Sequence, residues 1–337
     1  MITQPTLEDV RALSEWRPPL GVLSVYLGYD RADRNGAWRT ELRNGLDAIL
    51  ESQGEAEHDR RLALRATAKR LAVRFEEGDL RPPPRAEVGF VEVSEKEGAE
   101  HWFGAGVELV AESCVELGQS PVMAPLLELC KRGTPRGVVL ISAERVRLLG
   151  CVEGVLEELE DWELSMARLD PRGPGPDSPG LLGECGGLVA NRAAADGFGE
   201  VIAFGSTSDF ESFEADFNYP RAELVFGGDV DLITAPKGRV ADVAKEVVAR
   251  LEEERARALV GQAMAGPKGG RAAGRRETAE ALAEGRVDHL VLDAAIDGGE
   301  AESLVRGALA GGARVTVVRG EAAASLAEAE GVAAILH

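Results

Sequence analysis

The sequence predicts an α/β (α+β) protein of three domains. Three observations predict it. Residues 274–337 alternate short helical stretches with dense apolar runs, the pattern of stacked strands and helices. Residues 136–164 hold three apolar segments joined by two tight turns, the pattern of a meander. Breaks at Gly133-Thr134-Pro135 and at Gly266-Pro267-Lys268-Gly269-Gly270-Arg271 divide the chain into 1–135, 136–265 and 266–337. The 337 residues suit two or three domains of about 100–200 residues.

In the first domain, Leu7 to Glu15 reads as a short helix stopped by Arg17-Pro18-Pro19. Gly21 to Leu27 is a strand. Trp38, Leu42, Leu46 and Ile49 recur at helical spacing. His58 to Glu77 is a second helix, with Leu62, Leu64, Ala68, Leu71 and Phe75 inward. Its other face carries Arg60, Arg61, Arg65, Lys69, Arg70 and Arg74. The simpler reading of that face is a solvated surface beside Asp59, Glu76 and Glu77, and the sharper one a contact with structured RNA. Ala86 to Val93, His101 to Leu109 and Ser113 to Leu117 are strands, and Pro125 to Cys130 is a short helix.

In the second domain, Gly137 to Ser142, Val146 to Val152 and Val155 to Leu164 form the meander. Asp170 to Gly180 is dense in proline and glycine, so a mobile loop is predicted, running on to about Arg192. Val201 to Phe204 is a strand, and Asp209 to Phe217 a helix with Ser208 or Asp209 as its N-cap. Ala222 to Phe226 is a strand and Pro236 to Gln262 a long helix. Gly266 to Arg271 is a linker.

In the third domain, Glu277 to Glu284, Glu300 to Ala310 and Glu321 to Ala329 are helices. Val287 to Asp293, Arg314 to Val318 and Gly331 to Leu336 are strands. Their spacing predicts right-handed crossovers and an α/β/α sandwich with a mostly parallel sheet.

Composition limits the function classes. The chain is 45% hydrophobic and 28% charged, with a net charge of −20. A uniformly acidic surface repels phosphate, so any nucleic-acid contact must come from local basic patches. Solubility also accounts for the acidic excess. No run of about 20 apolar residues is present to span a bilayer, and the N-terminus lacks the layout of a signal peptide. Cys114, Cys130, Cys151 and Cys185 form no CxxC pair, which points to reduced thiols in a cytoplasm and away from zinc. P-loop, Rossmann and HExxH motifs are missing, so no cofactor and no metal are expected.

The run Gly274, Glu277, Ala281-Leu282, Glu284-Gly285, Val287-Asp288, Leu290 to Asp293, Gly312-Ala313, Val315 and Gly331 to Leu336 resembles the third domain of Pelota and of archaeal and eukaryotic class-1 peptide release factors. It is closer still to the bacterial archaeo-eukaryotic release factor family. Arg136 to Leu140 followed by Glu144 to Leu148 is similar to that family's middle domain. Leu23 to Leu27 followed by Trp38-Arg39 is similar to its first domain. The resemblance implies a tRNA-shaped, three-domain architecture. It implies a cytoplasmic, ribosome-associated translation factor that meets rRNA and the tRNA site. A translational GTPase such as elongation factor Tu is the implied partner, with no membrane and no DNA.

Class-1 release factors hydrolyse peptidyl-tRNA with a Gly-Gly-Gln loop. Gly186, Gly187, Leu188 and the residues up to Arg192 resemble that loop, with Leu188 at the Gln position. No Gln or His occurs between Arg136 and Gly261, and leucine cannot orient a water. Asn191, Glu184, Ser178 and Cys185 are the available substitutes, and each is more simply a loop residue. The expected activity is therefore A-site binding for rescue or hibernation without hydrolysis, as in Pelota and the hibernation factor Balon. The alternatives are a peptidyl-tRNA hydrolase with an atypical loop and a non-ribosomal scaffold. Two basic clusters are RNA-binding candidates: Arg31, Arg34, Arg39 and Arg43, and Lys268, Arg271, Arg275 and Arg276. The first is also explained by pairing with Asp30, Asp33 and Glu41, and the second by a solvated linker.

Overall fold

The computed structural model describes residues 4–29, 37–53, 58–77, 85–106, 109, 113–152, 155–164, 181–266 and 269–337. It is a mixed α/β protein whose strands form three sheets. They fall into two compact units, 1–133 with 253–337, and 134–252.

The first sheet has β1 (Val22–Gly28) and β2 (Ala86–Glu92) at its centre, flanked by β4 (Cys114–Gly118) beside β1 and β3 (Glu100–Ala105) beside β2, all antiparallel. Successive side chains of β1 point to opposite faces, and both faces are covered. Leu23, Val25 and Leu27 pack with α2 (Ala37–Ser52) and α3 (His58–Glu77). Val22 and Tyr26 face the other way, with α1 (Leu7–Ser14) and α4 (Ala124–Arg132). A capping box opens α1: Asp9 N–H donates to Thr6 Oγ1 (3.2 Å), and Thr6 N–H to the Asp9 carboxylate (2.9 Å).

In α3, Leu64 and Leu71 are buried, but Leu62, expected inside, is 40% exposed. Thr67 takes the inner position instead. Its Oγ1 donates to Ala63 O and accepts from Ser94 N–H (3.1 Å), docking the helix on the end of β2.

The second unit is built on one sheet. β5 (Arg136–Ile141), β6 (Arg145–Val152) and β7 (Val155–Glu163) form the expected antiparallel meander. β8 (Glu200–Phe204) lies parallel to β5, and β9 (Glu223–Gly228) parallel to β8. Val139 and Ile141 meet α5 (Leu181–Asp196) and α6 (Thr207–Glu214) on one face. Val138 and Leu140 meet α7 (Lys237–Ala265) on the other. The N-cap of α6 is Ser206, which accepts from Asp209 N–H; neither Ser208 nor Asp209 takes the role.

The remaining sheet runs β10 (Arg271–Ala273), β13 (Val332–Leu336), β11 (Val287–Asp293), β12 (Arg314–Val318). Its helices are α8 (Arg275–Ala283), α9 (Gly298–Ala310) and the five-residue α10 (Gly320–Ala324). The expected mostly parallel sheet is corrected here: β11–β12 is parallel, while β13 runs antiparallel to both β11 and β10. The predicted helix from Glu321 to Ala329 is only α10 followed by a 3₁₀ turn at Ala327–Ala329. Glu330 (φ 53°) and Gly331 (φ 80°) then turn the chain back beside β11. β12 ends and β13 begins at the same end of the sheet, beside Asp293 and Leu292 of β11, so the chain returns without a crossover. The stretch read as a linker ends in β10, which pairs with the end of β13 through Arg271↔Ile335.

Within the first unit, 1–133 and 269–337 share one core. Val10, Leu13, Met123 and Leu126 cluster with Leu304, Val305 and Leu292. Polar contacts reinforce the seam. Met123 N–H donates to Glu302 (2.7 Å), Arg306 donates to Ser120, and Arg319 grips both oxygens of Glu128 (3.2 and 2.9 Å).

Candidate functional site

Gly186, Gly187, Leu188 and Arg192 lie in α5, not in a loop. This corrects the expectation that loop structure runs on to about Arg192. The reason is packing. A Cβ on Gly186 would sit 2.1 Å from Phe213 O, so the missing side chain is what lets α5 lie against α6. A Cβ on Gly187 would meet only Asp216 O, at 3.7 Å. Leu188 is 48% exposed and offers no polar atom. Arg192 is held by Asp196 (2.7 Å) and Glu160 (3.2 Å). Cys185 is buried, and burial pushes its thiol up, away from a reactive thiolate. Ser178 lies outside the described residues. Gly186 is thus a helix-packing residue, and Glu184 and Asn191 stand exposed on α5.

In the C-terminal cluster, Lys268 lies outside the described residues. Arg271 sits on β10, half-buried. Arg275 donates from Nη1 to Glu300 (2.5 Å), and its backbone N–H donates to Glu330 (3.1 Å). Glu277 reaches back to Ala273 N–H (3.3 Å). The start of α8 is therefore already occupied by carboxylates. Arg276 is exposed and lies 3.7 Å from Glu280, one helical turn on. The sequence brought these cations together, but the fold engages Arg275 internally.

The α2–α3 pair behaves differently. Arg31 and Arg34 lie outside the described residues, while Arg39 and Arg43 stand exposed on α2. Together with Arg65 and Lys69 of α3, they rim a groove of about 290 Å³. Leu42, Leu46 and Ala68 form its buried floor, and Leu50, Ala72 and Phe75 its half-buried walls. Among the described residues, Asp47 is the one carboxylate in the lining. Among the described residues, Arg43, Arg65 and Lys69 pair with no carboxylate. Arg39 and Arg43, and likewise Arg65 and Lys69, are like charges at i,i+4, an arrangement that costs a helix about 0.2–0.5 kcal/mol per pair.

Phe75 of the groove belongs to a chain of four rings in edge-to-face contact: Tyr29–Trp38 (5.2 Å), Trp38–Phe75 (5.6 Å) and Phe75–Trp102 (5.6 Å). Arg39 stacks over Trp38 (4.6 Å) and Arg74 over Trp102 (4.0 Å). Below them the Tyr29 hydroxyl donates to Glu87 (2.9 Å). Burial raises the pKa of both groups, and Tyr29's hydrogen bond and Arg74's charge partly offset this for Glu87.

The basic face of α3 thus divides. Arg70 turns to Ser94 O (2.9 Å) and Arg74 to Glu87 (3.7 Å), while Arg65 and Lys69 turn to the groove. The sequence signal for the groove pair was its i,i+4 spacing; what it lacked was which helix stands opposite. The arrangement can hold a partner that is both anionic and apolar.

No family model and no curated protein matches the sequence. Among solved structures, the chain is similar to the archaeal translation termination factor aRF1 at 18% identity, over 99% of this chain and 99% of that one, with a TM-score of 0.29. It is similar to Archaeoglobus fulgidus Pelota at 15% identity, over 100% and 93%, with a TM-score of 0.35. It is also similar to S. cerevisiae Dom34, a translation termination-like factor that interacts with Hbs1, at 13% identity over 74% and 79%, with a TM-score of 0.41.

Proposed function

We propose that this chain is a ribosome-associated translation factor of the release-factor and Pelota type. It occupies the A site, for rescue or hibernation, without Gly-Gly-Gln hydrolysis. Its domains are 1–135, 136–265 and 266–337, each holding one of the three sheets. The observation that carries the reading is a basic-rimmed groove, whose Arg43, Arg65 and Lys69 pair with no carboxylate among the described residues, on a chain of net charge −20. Such a surface favours an anionic partner over solvent, and the ribosome is the anionic assembly that the sequence resemblance implies. The non-hydrolytic half is supported by α5, where Gly186 serves packing and Leu188 replaces the amide. A translational GTPase such as elongation factor Tu is the proposed delivery partner.

The test is co-sedimentation with 70S ribosomes across a salt series. Wild type is expected in the ribosomal fraction at low salt, and an Arg43→Glu/Lys69→Glu variant largely outside it. Wild type confined to the light fractions at low salt would overturn the ribosomal reading. Nascent-chain release from stalled complexes by the purified protein would overturn the non-hydrolytic half.

A further inference from the structure

The groove between α2 and α3 has a partner chemistry that a phosphate backbone does not match. We infer that it is a docking site for an acidic amphipathic helix, a protein segment with leucine-type residues on one face and carboxylates beside them. This deepens the ribosomal reading and rests on it only for where the partner is met.

The floor comes first. Leu42, Leu46 and Ala68 are buried, and the walls of Leu50, Ala72 and Phe75 are half-buried, so the cleft presents apolar surface. Its volume of about 290 Å³ far exceeds the ~10–15 Å³ that one water needs. Apolar area of this kind is stabilised by apolar area, at about 25 cal/mol per Å² buried. Sugar and phosphate gain nothing from it. A stacking site for bases needs a free aromatic face, but Trp38 has Arg39 over it and Phe75 is edged by Trp38 and Trp102.

The rim comes second. Arg39 and Arg43 on α2 and Arg65 and Lys69 on α3 give each helix a pair of cations at i,i+4 spacing along the groove. Carboxylates flanking the apolar stripe of a helix repeat at i, i+3 and i+4, so they match the spacing of these pairs. Two helices forming a trough for a third is the helix-in-groove mode of recognition. Asp47, alone in its sign among the described lining residues, favours one end for the partner's N-terminus or a cation there.

The test uses the full chain and a labelled peptide of about 16 residues, long enough for a helix to form on binding. It carries Leu on one face and Glu elsewhere. The controls are a scrambled peptide of the same composition and a single-stranded oligo(A). Fluorescence anisotropy is expected to show the amphipathic peptide binding at least about tenfold tighter than the scrambled one. Ala72→Trp, which fills the cleft, is expected to remove that preference and leave oligo(A) unchanged. Arg43→Glu/Lys69→Glu is expected to lose the Leu/Glu peptide and gain a Leu/Lys counterpart, a gain that only a folded protein can show.

Equal binding of amphipathic and scrambled peptides would overturn the inference, as would oligo(A) binding with no peptide binding. Ribosome co-sedimentation without peptide binding would overturn the inference alone. Peptide binding by a protein that never sediments with ribosomes would overturn the ribosomal reading alone.

Discussion

The carboxylate of Glu302, on α9, accepts a hydrogen bond from the backbone N–H of Met123 at 2.7 Å, where α4 begins. Neither partner is near the other in sequence, and Glu302 is 6% exposed. The Glu302 carboxylate does for α4 what a local N-cap does for other helices; Met123 makes no side-chain cap of its own. Glu302→Ala would leave a buried donor without a partner. It is expected to lower stability by about 1–3 kcal/mol, read from urea denaturation.

Acidity adds a second prediction at the same residue. Burial raises the Glu302 carboxyl above its ordinary range, with the Met123 hydrogen bond and Arg306 partly offsetting it. A raised folded-state pKa contributes stability below the unfolded value of about 4.3, and this is lost as pH rises through the folded value. Glu302→Gln keeps an acceptor and removes the titration. Wild type should therefore lose ground to this variant as pH rises above the unfolded value of about 4.3, measured as the difference in urea midpoints. A constant difference would rule out the buried titration.

The two adjacent glycines of α5 should respond oppositely. Gly186→Ala puts a Cβ 2.1 Å from Phe213 O and forces α5 from α6, at a cost of about 1–3 kcal/mol. Gly187→Ala has room, and should gain up to about 1 kcal/mol from helix propensity. Equal responses in thermal melts would argue against the helix.

Gly89 of β2 lies opposite Trp102 of β3, and a Cβ there would fall 2.2 Å from the indole ring. The glycine lets Trp102 lie across the sheet under Arg74. Gly89→Ala is expected to displace the ring, cost about 1–3 kcal/mol and change tryptophan emission. Arg74→Ala should change the emission with a smaller loss of stability, since it removes the stacked cation and its pairing with Glu87 but leaves the strand packing in place.

Much of the fold was legible where one face of an element meets one kind of surroundings. The α3 boundaries, His58 to Glu77, and the strands Val287–Asp293 and Arg314–Val318 follow directly from apolar periodicity and glycine stops. The errors share a cause in long-range packing. The direction of β13 depends on Glu330 and Gly331 turning the chain, and β10 exists only because β13 offers it an edge. Gly186 and Gly187 read as loop because the proline- and glycine-rich stretch before them was extended to Arg192 and because they resemble a Gly-Gly-Gln loop, while the reason to keep Gly186 lies on another helix. The groove was half-legible: the charges of Arg39, Arg43, Arg65 and Lys69 were visible, but their meeting around Leu46 and Ala72 requires the helices to be laid side by side.

The seam between Met123 and Glu302 joins residues 179 positions apart. At about 5–20 residues per second, synthesis leaves roughly 10–35 s between them. Through that interval the apolar side of α4, with Leu126 and Leu129, has no Leu304 or Val305 to cover it. The amino-terminal part of this protein thus leaves the exit tunnel unfinished and waits for its closing piece. Nascent chains halted before α9 should be the ones that chaperones hold and proteases cut.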